Sequence, residues 1–490
     1  MNNFIKKYYI QILALIVLTS LVYFAIFLHL SSYSLREWDE SRLACNALEM
    51  IKTGNPVVTY FNGSPDMWNT KPPFMIWMQV LSIKIFGYNE LAIRMPSALS
   101  VISIIILFFW IAVKHLKKIW IGFISSMVLI TSYGFMGNHI ARTGDYDALL
   151  SFWIIFYSLM FYLYLENPNK NKYLYLFFIG ITFSLLTKGI AGLIPVPFFL
   201  IFIFYKKMFL SLIRNKHFYC GILIFIFLGL GYYILREYLN NGFIRAVINN
   251  ELGGRFAEAN EEHKGSFNFY YKLLWGWRYG LWMKYLIASI VVAFVSFKFK
   301  IINNRLLFIF CLLSALFYFF IISFAQTKLY WYDAPLYPFF ALMLGIFFVE
   351  TLQYFNKKIN IIFIKYILIL LIIFIFYEPY KLIIINNLNP DNGEYQHINY
   401  GYHFRESYLP DNFIIAKSDY SAHIKFYIDV YQMKGYKVSK KKVGQVKTGD
   451  KVLVCENKFF NEIEEIFDYQ IIKENLYGKF LVIKSEKSGD

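Results

Sequence analysis

Charge is scarce in this chain, and so are the features that staple or divide small soluble domains. Only 17% of the 490 residues are charged, against about 25% in soluble proteins. The four cysteines, Cys45, Cys220, Cys311 and Cys455, share no C-x-x-C spacing. Neither a disulfide framework nor a zinc knuckle is implied. No internal repeat and no low-complexity linker marks a boundary. Acidic groups number 32 against 49 basic ones, a net charge of +17. Nucleic acid is not the partner this implies, because the lysines and arginines do not cluster in a solvated domain. They lie between apolar runs, where they orient helices and meet anionic lipid. What is abundant is apolar surface: 58% hydrophobic and 21% aromatic residues, more than one globular core can hide. The fold class is an α-helical polytopic membrane protein.

Runs of spanning length lie near residues 10–30, 96–113, 119–136, 148–165, 173–187, 190–205, 218–235, 280–297, 306–324, 335–350 and 360–377. That is about eleven spans by the bilayer-thickness rule. The first follows Lys6-Lys7 like a signal peptide, but no small-x-small site ends it, so it reads as an uncleaved helix. Alternate loops carry the cations: Lys114-Lys117-Lys118, Lys170-Lys172, Lys206-Lys207-Arg214-Lys216, Lys298-Lys300-Arg305 and Lys357-Lys358-Lys365. The positive-inside rule makes that side cytoplasmic. Residues 31–95, 236–278 and the tail from about Tyr380 then face outward. The expected division is a membrane domain, 1–379, carrying outer loops 31–95 and 236–278, and an extracytoplasmic α/β domain, 380–490. In the tail, Phe413–Ala416, Lys451–Val454 and Phe480–Ile483 read as buried strands, with helical periodicity at Ser421–Val430 and Phe460–Phe467.

The first outer loop is too polar to span and too aromatic for a linker. Glu40–Ile51 and Phe74–Phe86 read as amphipathic helices lying flat on the outer leaflet, with Arg42, Asn46 and Glu49 on the polar face of the first. Between them lie turn sequences, including Asn62-Gly63. Asp39 and Glu40 place two carboxylates at a helix start just outside the first span. They read equally as a helix cap with a first-turn charge or as catalytic groups. Lys71-Pro72-Pro73 precedes the second helix, where proline needs no amide donor. Lys71 and the free amides there suit a phosphate at the membrane surface; a snorkelling lysine fits as well.

Read in order, these motifs resemble a family. Asp39-Glu40-x-Arg42, an Asn-Gly turn, Lys71-Pro72-Pro73 and Arg94-Met95-Pro96-Ser97 are followed by Arg142-x4-Asp147, Leu185-Leu186-Thr187-Lys188-Gly189, Gly254-Arg255-Phe256 and Lys328-Leu329-Tyr330. The set is similar to bacterial GT-C membrane glycosyltransferases of the aminoarabinose-transferase and protein-O-mannosyltransferase superfamily, over about residues 30–345. The resemblance implies a multi-pass protein of the bacterial cytoplasmic (inner) membrane that modifies lipopolysaccharide or glycoprotein. It would take a sugar from a polyprenyl-phosphate donor and transfer it, with inversion, to a lipid, glycan or protein acceptor on the outer face. Asp39 would be the base. Lys71 and Arg255 would hold the lipid phosphate, with Arg42, Arg142 and Lys188 as further candidates. Asp147 would orient acceptor or sugar, and Glu40 is a further acidic candidate. Some relatives carry an acidic metal ligand immediately before Lys-Pro-Pro; Thr70 stands there in this chain, which speaks against that metal site, so the resemblance leaves a divalent metal open and implies no other cofactor.

The chemistry is consistent with that division. A polyprenyl phosphate leaves as a stable anion and needs cations rather than a general acid, so one carboxylate base and fixed lysines or arginines suffice. Other assignments stay open. Arg142 and Asp147 also read as an ion pair capping the fourth span, and Lys188 as a snorkelling residue. Glu258, Glu261, Glu262 and His263 read as a solvated charge run, while His29, His115 and His139 read as polar residues at span ends. The competing functions are a polyprenyl-linked glycan polymerase or ligase, expected to carry its catalytic loop later in the chain, and a lipid-linked sugar transporter. A transporter calls for ionisable residues deep within spans. Here the charges sit at span ends.

Overall fold

A computed structural model describes residues 2–257, 263–358, 362–389, 396–405 and 409–487. Each apolar run read from the sequence falls on a helix. Among the described residues seven helices are long and apolar enough to cross a membrane, or eight if the pair Phe269–Arg278 and Gly280–Ser296, bent by 112°, is one span. Ile119–Ile130 and Val196–Tyr205 are apolar but only 12 and 10 residues long, short of the roughly 20 a straight span needs. The helices close on one another through small residues. A Cβ on Gly345 would lie 2.0 Å from Ser125 Oγ, and one on Gly122 3.0 Å from the Phe109 backbone. Close backbone approach replaces hydrophobic burial as the packing force inside lipid.

At one end of the bundle Glu350 accepts from Lys118 Nζ at 2.6 Å and from the Asn303 backbone N–H at 2.6 Å. That pins two loops together. At the other end the first loop, part of the segment after Gly231 and the C-terminal region share one hydrophobic cluster. There the helix Asp39–Thr53 is sandwiched rather than laid flat. It packs against both Phe74–Phe86 and the tail helix Ala422–Met433. Asn46 and Glu49, expected to face water, are buried: Asn46 donates to Asp66, and Glu49 pairs with Lys425 at 3.5 Å. Phe74–Phe86 does keep an exposed apolar strip of Leu81, Ile85 and Phe86. The Asn62-Gly63 turn is as read, with φ of 54° and 74° closing a hairpin of Tyr60–Phe61 on Ser64–Pro65.

The C-terminal region is a five-stranded sheet in the order Lys437–Lys441, Asn412–Ala416, Lys451–Val454, Gly478–Glu486, Phe467–Asn475. The first three strands are parallel and the last two join antiparallel. The three strands read from sequence are the central ones; both edges went unread. The boundary read at 379/380 falls inside the helix Ile362–Leu388.

Candidate active site

Two motifs of the first loop and one of the next converge, and Glu40 is the reason. It is fully buried and accepts from Arg94 Nε at 2.7 Å, Arg94 Nη2 at 3.0 Å, the Arg36 N–H at 2.7 Å and the Gly144 N–H at 2.9 Å. Arg94 also donates to the carbonyls of Leu30, Tyr33 and Ser34. Burial pushes the Glu40 carboxyl up, but Arg94 and the two backbone donors outweigh it and hold it below the usual carboxylate range. With its oxygens saturated, Glu40 is structural, which removes it from the acidic candidates. It clamps the loop 139–147 onto the first helix. Gln79 holds the same loop by donating to the Gly144 carbonyl at 2.9 Å. Gly144 must be glycine, because a Cβ there would lie 2.5 Å from Ile93 Cγ2 and 2.8 Å from its carbonyl.

Two more candidates are also committed. Arg42 forks onto Asp66 at 2.8 and 2.7 Å and lies 3.5 Å over the Phe61 ring. Arg142 donates to the carbonyls of Ala25, Ile26 and Leu28 and so ties down the end of the first span. It does not pair with Asp147, whose partner is Lys188 at 2.6 Å. Neither arginine has its fork to offer a phosphate.

Asp39 differs from its neighbour. It is the first residue of its helix, and no side-chain cap bond forms there. Trp38, in the cap position with φ 69°, stacks on Tyr420 at 4.7 Å. Bulky residues rarely adopt that φ, and such strain concentrates at functional sites. Among the described residues nothing hydrogen-bonds or pairs with the Asp39 carboxylate. It faces His139 and Asp145, the ligand-type atoms of all three lying within 4.8 Å of one another. Burial lifts the Asp145 carboxyl well above its usual range, and the charge of Asp39 pushes the same way. Burial lowers His139 to about 4, so its ring is neutral.

The cations sit next to this. Lys71 is buried, 3.8 Å from Glu251 and 5.5 Å from the Tyr146 ring centre. Thr70 donates to the same Glu251 at 3.2 Å. A hydroxyl committed to a carboxylate does not fit the metal position some relatives have there. Lys188 lies over Tyr332. Asp147 feels the charges of both Asp39 and Lys71 as well as Lys188, which makes these groups one electrostatic unit. A cavity of about 300 Å³ runs from it between helices. Leu150, Ile190, Ile194, Tyr318, Ile321 and Ile322 form its apolar walls; Asp147, Lys188, Glu251 and Tyr332 are its polar residues. The Arg255 side chain and Glu258, Glu261 and Glu262 lie outside the described residues. Sequence reasoning missed Asp145, His139 and Glu251. The pair of carboxylates two apart in Asp145-Tyr146-Asp147 was the available signal for the first.

Comparison with known proteins follows the same lines. Residues 70–233 match the family described as dolichyl-phosphate-mannose-protein mannosyltransferase. An uncharacterised Aquifex aeolicus protein is 30% identical over 204 residues, 41% of this chain and 39% of its own length. The undecaprenyl phosphate-alpha-4-amino-4-deoxy-L-arabinose arabinosyl transferase of Aeromonas hydrophila is 26% identical over 239 residues, 47% of this chain and 42% of its own. The chain thus spans less than half the length of the curated relatives it matches. The crystal structure of ArnT from Cupriavidus metallidurans bound to undecaprenyl phosphate superposes with a TM-score of 0.70 at 14% identity, covering 97% of this chain and 98% of that one. The archaeal oligosaccharyltransferase AglB from Archaeoglobus fulgidus gives 0.54 at 14% identity over 87% and 64%. In fold over almost its whole length, and in sequence over part of its first half, the chain is similar to glycosyltransferases of the aminoarabinose-transferase and protein-O-mannosyltransferase type.

Proposed function

We propose that the protein is an inverting glycosyltransferase that moves a sugar from a polyprenyl-phosphate-linked donor to a lipid, glycan or protein acceptor on the outer face of the cytoplasmic membrane. The observation that carries this reading is the cavity whose apolar walls lead to the lysine–carboxylate cluster beside Asp39. An isoprenoid chain matches the walls and its phosphate matches the lysines. Lys71 stands just before the start of the helix Phe74–Phe86, where backbone amides suit a phosphate, whereas Lys188 is bonded at 2.6 Å to Asp147. Lys71 is therefore the first phosphate ligand, with Lys188 and Arg255 in support. Asp147 holds Lys188 and orients the reacting groups.

In the reaction Asp39 takes the proton of the acceptor hydroxyl as its oxygen attacks the anomeric carbon. The bond from that carbon to the phosphate oxygen breaks on the opposite face, and polyprenyl phosphate leaves. The lysines stabilise the charge that builds on the leaving oxygen, the larger part of such catalysis in a site that excludes water. The lack of a second carboxylate acting as acid is no obstacle with so stable a leaving anion.

The test is binding of undecaprenyl phosphate and of a short isoprenyl phosphate to the purified chain. The reading expects the long chain to bind more tightly, through the walls, and both to weaken when Lys71 is removed. Equal binding of the two, insensitive to Lys71, would overturn it. Outer-face placement rests on the loop charges. An impermeant thiol reagent should label Asn62→Cys and Lys447→Cys in intact cells, and protection of both would reverse the orientation.

A further inference from the structure

The proposed chemistry gives the C-terminal region no task, yet that region reaches the edge of the site. Tyr420, just before the tail helix Ala422–Met433, stacks on Trp38 at 4.7 Å with the rings 14° apart. Trp38 directly precedes Asp39, and the Tyr420 phenol lies within electrostatic reach of the Asp39 charge. Even in this stack the indole is 53% exposed. Beyond Tyr420 a cleft of about 380 Å³ opens between the hairpin 60–65 of the first loop and the tail. That is the small end of the range for ligand pockets, about 300–1,000 Å³. Its polar lining includes Asn62 from the hairpin, Ser421 and Gln432 from the tail helix and its cap, and Ser439 and Lys440 from the edge strand Lys437–Lys441. The charges of this cleft are engaged. Lys425 donates to Asp429 at 2.8 Å and pairs with Glu49 at 3.5 Å. Lys440 donates to Ser421 Oγ at 2.8 Å and to the Asp419 carbonyl at 3.2 Å. What remains for a ligand is neutral. Among the described residues the side-chain amide of Asn62, the hydroxyl of Ser439 and the amide oxygen of Gln432 make no hydrogen bond.

We propose that this cleft binds a saccharide: the sugar units of a glycan or glycolipid acceptor that neighbour the unit being modified. A sugar offers hydroxyls that both donate and accept, and C–H faces that pack on aromatic rings. The lining answers both needs, with neutral amide and hydroxyl partners beside the Trp38–Tyr420 stack. A bare anion fits less well, because Asp429 stands in the wall and Lys425 is already bonded to it. A peptide acceptor would add itself to the exposed sheet edge, the usual way an extended chain is taken up. That edge carries Lys437, Lys440 and Lys441, the kind of residue that guards an edge against an added strand. The stack bridges the cleft and Asp39, so a glycan with its acceptor hydroxyl at Asp39 runs over the indole and into the cleft. The C-terminal region then selects the acceptor while the lysines of the membrane domain hold the donor. Its part as an acceptor subsite rests on the reading of Asp39 as the acceptor-side base; saccharide binding itself does not.

The experiment presents the full chain in detergent to an array of immobilised oligosaccharides released from bacterial lipopolysaccharides and capsules. Serine- and threonine-rich peptides on the same array represent the other acceptor class. The expected result is retention on saccharides, competed by the same saccharide free in solution. Tyr420→Ala should weaken it about tenfold, the worth of an aromatic stacking contact with a hydrogen bond. Asn62→Gly keeps the left-handed turn and removes the amide, for a loss of about threefold. Ser439→Trp fills the cleft from the exposed edge strand and should abolish retention. Undecaprenyl phosphate binding should be unchanged in all three. Asn62 and Ser439 are exposed, so their variants remain informative if Tyr420→Ala disturbs the fold. Retention on peptides instead, on no saccharide at all, or on saccharides equally well in Ser439→Trp overturns the proposal. A wild-type chain that retains saccharides but does not bind undecaprenyl phosphate would break the functional reading and leave the saccharide cleft standing.

Discussion

Two charged regions meet at the start of the helix Asp39–Thr53, and they are built on opposite principles. On one side Glu40, Arg94, Arg42 and Asp66 form closed forks with nearly every donor and acceptor matched. On the other, Asp39, His139 and Asp145 are close without being matched: among the described residues nothing pairs with the Asp39 carboxylate, and His139 Nδ1 and Asp145 Oδ1 make no hydrogen bond. Adjacent residues of one motif thus divide between rigidity and reactivity. The closed side fixes the open side's geometry, since Glu40 holds the loop carrying Asp145 through the Gly144 amide. Preorganised charges that cost nothing to rearrange at the moment of reaction are what such a site needs.

Breaking the closed side should have the largest effect. Glu40→Gln leaves the Arg94 guanidinium buried without its counter-charge, and stripping one partner of a buried pair costs about 3–5 kcal/mol. Thermal unfolding of the purified chain should register it, and both transfer and donor binding should fall together. The pH dependence has a definite sign. Burial raises the Glu40 carboxyl and Arg94 more than reverses this, so the folded value lies below the unfolded one. Its stabilising contribution is complete above about pH 4.3 and is lost as pH falls through the lower folded value. Acid unfolding should accordingly be steeper in the wild type than in Glu40→Gln.

Next in size is Lys71, the cation beside the open side. Lys71→Ala should weaken undecaprenyl phosphate binding by one to two decades, the worth of a charge-assisted contact at roughly 1.5–3 kcal/mol. The melting temperature should fall less than in Glu40→Gln. Lys71→Arg should retain part of the binding. The smallest effect belongs to Arg42→Lys, which keeps the charge toward Asp66 but loses the fork and the stacking on Phe61. A loss on the order of 1 kcal/mol in stability, with donor binding unchanged, is expected. Loss of donor binding in Arg42→Lys would move Arg42 from the closed set to the open one.

The contrast also explains what could be read from the sequence. Spans were legible because lipid admits one composition, and the central strands because Phe413–Ala416 and Lys451–Val454 are buried runs. The edge strands Lys437–Lys441 and Phe467–Asn475 were not, because a protected edge is written in lysines and polar residues and looks like a loop. In the site, Asp39 and Lys71 stand in motifs whose order was recognisable. The fate of Glu40 was hidden, because it depends on Arg94, 54 residues away, arriving beside it. His139 and Asp145 were hidden for the same reason: neither is a motif until the loop folds back on Asp39.

The central claim is that Asp39 acts on the acceptor while the lysines act on the donor, and one variant separates the two. Asp39→Asn keeps the size of the side chain and removes the basic oxygen. Sugar transfer from a purified polyprenyl-phosphate donor should be measured in that variant alongside undecaprenyl phosphate affinity and thermal unfolding. Turnover is expected to fall about 10²–10⁴-fold, the usual contribution of a general base, with donor affinity and melting temperature unchanged. Near-wild-type turnover in the asparagine variant, or a parallel loss of donor binding, would contradict the account.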